Sequence, residues 1–493
     1  MSGKYETVIG VEIHVELGTK TKLFCGCSTE FGAEVNTQTC PVCLGMPGAL
    51  PVLNEKALEF AIKAGLAMNC QINEHSIFER KNYFYPDLPK GYQISQLRQP
   101  LSKNGYVMIN VDGNEKRIGI RRIHLEDDAA KLVHAGDGEI DESVNSAVDF
   151  NRGGVPLIEI VSEPDMSSPE EMKAYCETVK SILEYIEVSD CDMEKGHLRI
   201  EANISRRRVD DHNIWTDRSE IKNLNSIRYA MRAVDYEVER HTKALESGTT
   251  LVMETRLFDV SHNVTRAMRS KEEAHDYRYF PEPDLVPIEP SRDWVDELLH
   301  SLPELPHARR KRLISQELPI TYDINDRLPE HDASLLTADK KLANYYEECV
   351  RLYNRPKIVS NWILNELMAL MSDKKQTIDD CKITPELFAG MMKLIDNGTI
   401  SGKIAKTVYE EMFNTGKTAE FIVKDKGLVQ ISDESEIIKV VEQVIADNQG
   451  PVQDYKNGKK NSIGFLVGQI MKVTKGKANP QLVNKILAEK LKT

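Results

Sequence analysis

The sequence predicts an α+β protein in which an N-terminal domain built on a mixed or antiparallel sheet precedes helical domains. Residues 9–17 alternate apolar and polar side chains with a period of two, which indicates a half-buried strand. The same alternation returns in residues 191–205. From about Asp293 onwards the apolar residues instead follow the spacing of helices. At 493 residues, the chain is long enough for two to four domains.

The composition is that of an ordinary globular protein, and it excludes several classes. Hydrophobic residues make up 41% of the chain and charged residues 29%. No apolar run approaches the roughly 20 residues that a membrane-spanning helix needs. The first residues, M-S-G-K-Y-E-T, resemble neither a signal peptide nor a transit segment, so we expect a cytoplasmic protein without a membrane partner. The net charge of −13 argues against a general nucleic-acid coat protein.

The C-terminal segment 451–493 carries a charge opposite to that of the rest of the chain. It contains nine lysines and two acidic residues, which gives a net charge of +7. A basic module attached to an acidic body suits contact with a phosphate backbone, although a solubilising terminus has the same composition. The apolar residues predict two helices within 462–487, with Asn479 as N-cap and Pro480 as the first residue of the second helix.

The first predicted strand presents a row of potential metal ligands. Its odd positions are apolar, and its even positions carry Glu12, His14 and Glu16. Side chains two residues apart on a strand are about 7 Å apart, so they can converge on one hydrated cation. Mg²⁺ prefers oxygen ligands and usually keeps waters and substrate phosphates in its shell. A solvated sheet face without a metal is the alternative.

Four of the nine cysteines lie close together. Cys25, Cys27, Cys40 and Cys43 form the pattern C-x-C-x12-C-P-x-C. In a reducing compartment this spacing indicates a structural Zn²⁺ bound by four thiolates, with an iron–sulfur or redox site as the alternative. Zinc would hold the loop 18–51, which has no periodic pattern of its own. The other cysteines are scattered and are expected to be core or surface residues: Cys70, Cys176, Cys191, Cys349 and Cys381.

After this loop the sequence predicts a helix and two strands. Apolar residues at helical spacing cover 54–68, and strands at 107–111 and 116–123 flank a turn. Between the helix and the strands, residues 80–96 read R-K-N-Y-F-Y-P-D-L-P-K-G-Y-Q-I-S-Q and combine four aromatic with three basic side chains. Such a segment can stack bases and hold phosphates, but its aromatic side chains could equally be part of a core.

A second acidic group follows the strand 116–123. Residues 124–131 read H-L-E-D-D-A-A-K, and the apolar strand 156–161 contains Glu159 as its only charged side chain. A carboxylate inside an apolar strand needs a partner. A cation is one candidate for that partner, and chance exposure at the surface is the alternative.

Further helices and a linker are predicted in the rest of the chain. Ser168 and Pro169 open a helix with the capping box S-P-E-E. Residues 221–236 also have a helical pattern, and six prolines within 279–306 indicate a linker. We therefore expect domains at 1–292, 293–412 and 413–493.

Seven short motifs follow one another along nearly the whole chain: V-I-G-V-E-I-H-V-E-L, F-G-A-E-x-N, R-K-N-Y-F-Y-P-D-x-P-K-x-Y-Q-I-S-Q, D-x-N-R-x-G-x-P-L-I-E-I-V-S-E-P-D, K-N-L-N-S, D-Y-R-Y-F-P-E-P-D and G-F-L-V-G-Q-I-M-K. Together they resemble the GatB/GatE family, to which the B subunits of the tRNA-dependent amidotransferase GatCAB belong. No synthetase-like insertion interrupts the helical region, which favours a B subunit over the archaeal GatE. The resemblance implies a catalytic cradle domain, a helical domain and a small YqeY-like tRNA-binding tail.

The resemblance also implies an activity and a set of site residues. ATP would phosphorylate the side-chain carboxylate of misacylated Glu-tRNA(Gln), Asp-tRNA(Asn) or both. Ammonia from the glutaminase (A) partner would displace the phosphate, with a small (C) partner joining the two. The candidate catalytic and Mg²⁺-binding residues are Glu12, His14, Glu126, Asp127 and Glu159. Relatives often have Glu at position 127, so which of Glu126 and Asp127 binds the metal stays open. The candidate ATP-binding residues are Lys81, Tyr83, Lys90, Arg152 and Arg199.

Two functions from other classes compete with this interpretation. A non-enzymatic, zinc-stabilised tRNA-binding subunit would explain the tail, the aromatic segment and the cysteines. It would not explain the acidic residues, which repel phosphates unless a cation lies between them. A free-standing ATP-dependent ligase or kinase would turn over ATP without tRNA or a partner.

Overall fold

The computed structural model describes residues 4–134, 146–270, 277–315, 326–428, 434–456, 459, 461–474, 478 and 480–491. The chain divides into two compact units, Met1–His307 and Ala308–Thr493. All described strands belong to the first unit, and the described elements of the second unit are helical. The α+β fold class predicted from the sequence is therefore confirmed.

Fourteen strands are described. They are β1 (Tyr5–Glu16), β2 (Gln71–Ile72), β3 (Glu79–Asn82), β4 (Tyr92–Ser95), β5 (Ser102–Val111), β6 (Asn114–Asp127), β7 (Lys131–His134), β8 (Ser146–Asp149), β9 (Pro156–Ser162), β10 (Leu198–Arg208), β11 (Ser219–Leu224), β12 (Glu254–Asp259), β13 (Val264–Ser270) and β14 (Phe280–Pro281).

The described helices begin with four in the first unit: α1 (Glu55–Ala67), α2 (Pro169–Tyr185), α3 (Ile227–Ser247) and α4 (Arg292–His300). They continue with α5 (Pro306–Ser315), α6 (Glu330–Leu336), α7 (Lys340–Leu352), α8 (Pro356–Asn361), α9 (Met368–Lys374), α10 (Pro385–Asp396), α11 (Gly402–Thr415), α12 (Ala419–Asp425), α13 (Glu434–Asp447), α14 (Gln449–Lys456), α15 (Ser462–Val473) and α16 (Pro480–Lys490). A π-helical segment, Trp362–Leu367, separates α8 from α9, and a 3₁₀ turn, Ile378–Asp380, precedes α10.

The first unit is organised around one mixed sheet of nine strands. Their order is β13-β12-β11-β10-β1-β9-β6-β5-β2. Neighbours run antiparallel except β11 and β12, which run parallel. A second sheet has the order β14-β3-β4, and β7 pairs with β8. Strand β1 lies at the centre of the large sheet, so its side chains have neighbouring strands on both sides.

The alternation predicted for β1 is confirmed. The apolar residues from Ile9 to Val15 are at most 1% exposed, and they share one core with apolar side chains of α1, α2 and α3. The polar residues Glu12, His14 and Glu16 lie on the opposite face and are half-buried. One face of the sheet therefore holds the helices, which leaves the other face to carry polar groups.

Side-chain caps fix where the helices of this unit begin. The side chain of Asn54 accepts hydrogen bonds from the backbone N–H groups of Lys56 and Ala57 at the start of α1. The hydroxyl of Ser168 accepts the Glu171 N–H at the start of α2, with Pro169 as the first helical residue, as predicted.

The helix predicted at 221–236 is correct only from Ile227 onwards. Residues 219–224 instead form β11, which pairs with β10 through Ile221 and Leu224. The side chain of Ser226 then accepts the Tyr229 N–H and begins α3. Pairing with a neighbouring strand thus overrides the local helical pattern until the cap is reached.

The linker predicted within 279–306 is wrong, because this segment is built into the first unit. Strand β14 pairs with β3, and Ile288 exchanges backbone hydrogen bonds with Ser76. Leu298 of α4 is buried in the core of the sheet. Proline lacks a backbone donor but is tolerated on an edge strand such as β14, so the proline content did not exclude ordered structure.

The second unit contains two apolar cores. One comprises buried residues from Leu313 to Val423, and the other extends from Ile437 to Leu491. The domain boundaries expected at 292/293 and 412/413 fall inside helices α4 and α11. Helix α16 begins at Pro480 as predicted, whereas Asn479 lies outside the described residues.

Among the described helices, none combines the length and the apolar character that crossing a bilayer requires.

Candidate active site

Strand pairing brings two histidines and a glutamate into one row across the sheet. His14 of β1 lies opposite Glu159 of β9, and Glu159 lies opposite His124 of β6. Glu126 follows His124 by two residues and therefore projects from the same face. Directly opposite side chains have Cβ atoms only about 5 Å apart, so these polar groups must meet. We refer to His14, His124, Glu126 and Glu159 as the His/Glu cluster.

Each histidine of the His/Glu cluster lies between the two carboxylates. His14 Nε2 is 3.5 Å from Glu159 Oε2 and 3.9 Å from Glu126 Oε1. His124 Nε2 is 3.4 Å from Glu159 Oε2 and 3.6 Å from Glu126 Oε2. One ligand atom each of His14, Glu126 and Glu159 lies within 4.8 Å of the others. Ligands on opposite sides of Mg²⁺ are about 4.2 Å apart, so this group needs little movement to surround a small cation.

The charges within the cluster compensate for its burial. Burial disfavours a charged His14, but the hydrogen bond and the negative charge of Glu159 raise the pKa of this histidine to about 9. Burial also opposes ionisation of Glu159, yet the charges and hydrogen bonds of His124 and His14 hold its pKa well below the usual value. The pKa of Glu126 is lowered against burial mainly by a hydrogen bond from His124. Both carboxylates are thus ionised at neutral pH and can attract a cation.

His124 is the member of the cluster that the sequence reasoning missed. It is 2% exposed, and its Nδ1 atom has no hydrogen-bond partner among the described residues. Residues 124–131 were expected to follow a strand, but β6 runs on to Asp127, so His124 lies inside the strand. A signal was available, since the pattern H-x-E occurs in both β1 and β6.

Glu12 lies one step further along the sheet than the His/Glu cluster. It is opposite Glu201 of β10, and its carboxylate accepts a hydrogen bond of 3.1 Å from the side-chain amide of Asn203. Burial, together with the charges of Glu159 and Glu201, raises the pKa of Glu12. The Lys222 ammonium balances this second acidic group at 2.7 Å from Glu201. Glu12 therefore places a carboxylate beside the cluster, but this carboxylate is not one of the groups whose ligand atoms converge there.

The two aspartates after Glu126 are engaged elsewhere. Asp127 forms an ion pair with Lys90, and its Oδ1 accepts the backbone N–H of Ile94 at 2.7 Å. Asp128 accepts a 2.9 Å hydrogen bond from Arg199 and lies 3.6 Å from Arg152. Both aspartates are buried and already have cationic partners, whereas Glu126 faces two histidines.

The remaining candidate ATP-binding residues differ in how far their charges are engaged. Arg152 donates to the carbonyl groups of Ala129 and Ala130, which fixes its guanidinium against the backbone. Lys81 is half-buried, and although burial opposes its charge, Glu126 and nearby tyrosines raise its pKa. The Tyr83 hydroxyl donates to Gln93, whose amide donates to the backbone carbonyl of Asp127.

The four predicted cysteine ligands also converge. The sulfur atoms of Cys25, Cys27, Cys40 and Cys43 lie within 4.8 Å of one another. All four are free thiols, and this is the donor set of a tetrahedral zinc site. The cysteine cluster therefore fits Zn²⁺ in its chemistry and spacing.

A fully buried lysine accompanies the cysteine cluster, and no pattern in the sequence indicated it. Lys22 Nζ lies 3.7 Å from Cys43 Sγ and donates to the carbonyl of Phe150 at 3.2 Å. A hydrogen bond from Cys25 holds the pKa of Cys43 down to about 4 against burial, and Lys22 adds to that effect. The backbone N–H of Leu23 donates a hydrogen bond to the carbonyl of Gly154, which lies in the same segment as Phe150. The cysteine loop is thus anchored directly before β9, which carries Glu159.

Fold and site together define a class of protein. Its first unit has a mixed sheet with a candidate divalent-cation centre on the polar face, and a helical unit follows in the chain. Comparison with known families assigns the chain more closely. The model of the GatB/GatE catalytic domain matches residues 7–296, and the model of the GatB domain matches residues 344–491. The chain belongs to the GatB/GatE family.

Similar proteins extend over the full chain. A relative from Thermoanaerobacter sp. (strain X514) is 56% identical over 488 residues, which cover 99% of both chains. Relatives from Carboxydothermus hydrogenoformans and Geotalea daltonii are 55% and 52% identical with the same coverage. All three are named as the B subunit of an aspartyl/glutamyl-tRNA(Asn/Gln) amidotransferase.

Proposed function

We propose that the chain is the B subunit of a tRNA-dependent amidotransferase and activates the side-chain carboxylate of a misacylated tRNA with ATP. The observation that carries this proposal is the His/Glu cluster, where two ionised carboxylates and two histidines meet on the polar face of the sheet. The relatives' names supply the reaction class, and the substrates are Glu-tRNA(Gln), Asp-tRNA(Asn) or both.

The proposed chemistry needs no nucleophile from the protein. A carboxylate oxygen of the tRNA-bound Glu or Asp attacks the γ-phosphorus of ATP, and ADP leaves with the electrons of the broken P–O bond. Ammonia then attacks the carbonyl carbon of the acyl phosphate, and phosphate leaves with the electrons of the broken C–O bond. One proton passes from the attacking nitrogen to the phosphate, and an amide remains. Phosphoryl transfer of this kind depends on positioning and on compensation of phosphate charge.

The residues that would hold Mg²⁺ are His14, Glu126 and Glu159. With Mg²⁺ bound, these residues would hold positive charge next to the transferred phosphoryl group and so offset the negative charge of the phosphates. Of the two alternatives left open by the sequence, Glu126 is the better ligand, because the Asp127 carboxylate is already paired with Lys90. We assign Glu12 to the outer side of the same site, where its charge supports the cation.

Basic side chains around the cluster are suited to the phosphates of ATP. Lys81 is the strongest candidate, because its charge is stabilised by Glu126. Lys90, Arg152 and Arg199 pair with Asp127 or Asp128 and keep these aspartates in place, so their contribution to ATP binding is expected to be indirect. Tyr83 is held near these residues by its hydrogen bond to Gln93.

The proposed reaction requires partner proteins. We expect it to take place in the cytoplasm, where translation occurs. Ammonia comes from the glutaminase (A) partner, and the small (C) partner joins the assembly. The polar face of the sheet is where ammonia must arrive, since the acyl phosphate forms there. The alternative function, a non-enzymatic tRNA-binding subunit, is disfavoured by the paired carboxylates of the cluster.

ATP turnover separates the three candidate functions. The assembled enzyme should hydrolyse ATP only when misacylated tRNA is present, with amide formed in proportion. ATP hydrolysis by the chain without tRNA or partners would favour a free-standing ligase or kinase. Binding of tRNA without any ATP turnover would leave the non-enzymatic function.

The first prediction concerns zinc at the cysteine cluster. Metal analysis of protein purified under reducing conditions should find one zinc per chain, and the double variant Cys40→Ser/Cys43→Ser should lose it. The variant should unfold at a lower temperature, because the loop 18–51 is then held only by its other contacts. If metal analysis finds no zinc in the wild-type protein, this assignment is contradicted.

Lys22 permits a finer test of the same site. Lys22→Met keeps the volume but removes the buried positive charge next to Cys43, so zinc should be released faster to a chelator. Lys20→Met is the matched control, because Lys20 is exposed. Equal zinc release from the two variants would mean that Lys22 serves the loop and not the metal.

The second prediction concerns the basic C-terminal segment 451–493, which we propose supplies tRNA affinity. Truncation at about Gly450 should raise the KM for charged tRNA, but it also removes most of the core formed with α13. Reversing the charge of the exposed residues Lys456, Lys472 and Lys485 avoids this problem. The triple Lys→Glu variant should raise the KM for tRNA and reduce its dependence on salt, because fewer counterions are released on binding.

The control for this experiment carries the same change in net charge elsewhere in the helical unit. Lys393, Lys403 and Lys424 are exposed on α10, α11 and α12. Their reversal should leave the KM for tRNA within about twofold of wild type. If both triple variants bind tRNA equally well, the segment 451–493 is only a solubilising terminus.

The third prediction concerns Glu12 and His14. Glu12→Gln removes a charge beside the proposed cation, and His14→Ala removes a ligand, so phosphate charge is under-compensated during transfer. Transition-state stabilisation should fall by several kcal/mol, or on the order of 10³-fold in rate. Both variants should lose tRNA-dependent ATP cleavage and amide formation, while assembly with partners and tRNA binding persist.

Glu6→Gln is the control for these variants, because Glu6 lies on the same strand but pairs with Arg207. It should retain near wild-type rates. Wild-type transamidation by Glu12→Gln and His14→Ala across a Mg²⁺ titration would show that the site lies elsewhere.

A further inference from the structure

Four tyrosines, Tyr279, Tyr277, Tyr83 and Tyr85, form a row of aromatic rings in the first unit. The ring centroids of Tyr279 and Tyr277 are 6.2 Å apart, those of Tyr277 and Tyr83 are 5.9 Å apart, and those of Tyr83 and Tyr85 are 6.3 Å apart. All three pairs meet edge to face. Phe84 lies between Tyr83 and Tyr85 in the sequence, and the five rings together are called the aromatic row.

Tyr83, one of the half-buried inner rings, is connected to the cluster by hydrogen bonds. Tyr83 donates to Gln93, and Gln93 donates to the backbone carbonyl of Asp127, the residue after Glu126. On the same strand as Gln93, the Ser95 hydroxyl donates to Glu126 itself at 3.0 Å. The strand β4 thus fixes the distance between the inner rings and the carboxylates.

The outer end of the row is open to solvent but held in place. Phe84 is 89% exposed and Tyr85 is 51% exposed. The Phe84 ring lies over Gly91, where an added Cβ atom would approach the ring to 3.1 Å. Gly91 also has a φ of +74°, which favours glycine. Phe84 therefore lies against the backbone at Gly91 through its Cδ1 and Cε1 atoms, while most of its ring is open to solvent.

Positive charge accompanies the rings. Lys81 Nζ is 5.2 Å from the ring centroid of Tyr277 and 5.6 Å from that of Tyr83. Arg98 is largely exposed and donates to the carbonyl of Tyr279 at 3.1 Å. Exposed aromatic rings next to basic side chains are the combination that binds single-stranded nucleic acids, since bases stack on the rings and phosphates pair with the cations.

We propose that the aromatic row binds the unpaired 3′-terminal nucleotides of the tRNA substrate and leads the esterified amino acid to the His/Glu cluster. This inference rests on the proposed function, because it assumes an aminoacyl-tRNA substrate. The amino acid is attached to the last nucleoside, so the last base must lie close to the reacting carboxylate and the preceding bases further out.

The extent of the row distinguishes this occupant from ATP. ATP carries a single base, whereas the row offers several rings from the half-buried Tyr279 to the exposed Phe84. A short single strand presents successive bases along its length, which matches a series of rings. The row also ends in solvent, where the double-stranded part of the tRNA must remain.

The test uses the full chain assembled with its partner proteins and the double variant Phe84→Ala/Tyr85→Ala. Its KM for Glu-tRNA(Gln) or Asp-tRNA(Asn) should rise about tenfold or more, because each lost stacking contact weakens binding by at least several-fold. The KM for ATP should stay within about twofold. Phe421→Ala is the matched control, since Phe421 is 51% exposed beside Lys417 but lies in the helical unit. It should change neither constant.

A tryptophan variant reads stacking directly. Phe84→Trp should retain the wild-type KM for tRNA, and the trinucleotide CCA should quench its additional fluorescence relative to wild type. ATP at the same concentration should not. Quenching by CCA reports binding of the trinucleotide at this surface and does not require catalysis.

The possible failures can be told apart. A wild-type KM for tRNA in the double alanine variant, or no quenching of Phe84→Trp by CCA, would overturn the inference. A rise in the KM for ATP alone would also overturn it and would assign the rings to the nucleotide cofactor. If the wild-type assembly hydrolyses no ATP with misacylated tRNA, the proposed function fails, and CCA quenching alone then supports a stacking surface.

Discussion

The antiparallel register of β1, β9 and β6 is the constraint on which the candidate site depends. It sets His14 opposite Glu159 and Glu159 opposite His124, so that side chains from three distant segments share one row. A shift of one residue in any of these strands would move its polar groups to the face that packs against the helices. The apolar residues between them, such as Ile13 and Ile160, are fully buried and therefore hold the register that the site requires.

Burial of like charges in this row is tolerated because cations lie between them. Glu126 and Glu159 would repel one another if they were alone, but each has His14 and His124 as neighbours. Removing both histidines would leave two uncompensated buried charges, which is strongly destabilising. A divalent cation can take over this compensation, since its charge attracts the same carboxylates. The histidines thus compensate the carboxylates within the protein, and a metal ion could replace their positive charge.

The surrounding loops are attached to the same strands at their ends. Lys22 connects the cysteine loop to Phe150, between β8 and β9, and Lys90 connects the aromatic segment to Asp127 at the end of β6. Both lysines are at most slightly exposed, so these ion pairs and hydrogen bonds are shielded from solvent. Loops without regular structure of their own therefore acquire fixed positions around the His/Glu cluster.

The sequence by itself determined the features that depend on local periodicity and spacing. The alternation of β1, the capped start of α2 and the C-x-C-x12-C-P-x-C pattern each specify a strand, a helix terminus or a ligand set within a short segment. The same patterns identified Glu159 as a carboxylate that needed a partner. The repeated H-x-E pattern pointed to His124, but it could not place His124 next to Glu159, because the pairing of β6 with β9 sets that distance.

Only the tertiary structure decided between the alternatives that local patterns left open. It separated Glu126 from Asp127, since neighbouring residues on a strand project to opposite sides and Asp127 meets Lys90 there. It resolved the aromatic segment into the buried-side Tyr83 and the exposed Phe84, and it turned a proline-rich stretch from an expected linker into part of the first unit. In each case the outcome depended on contacts between residues far apart in the chain, which no local pattern contains.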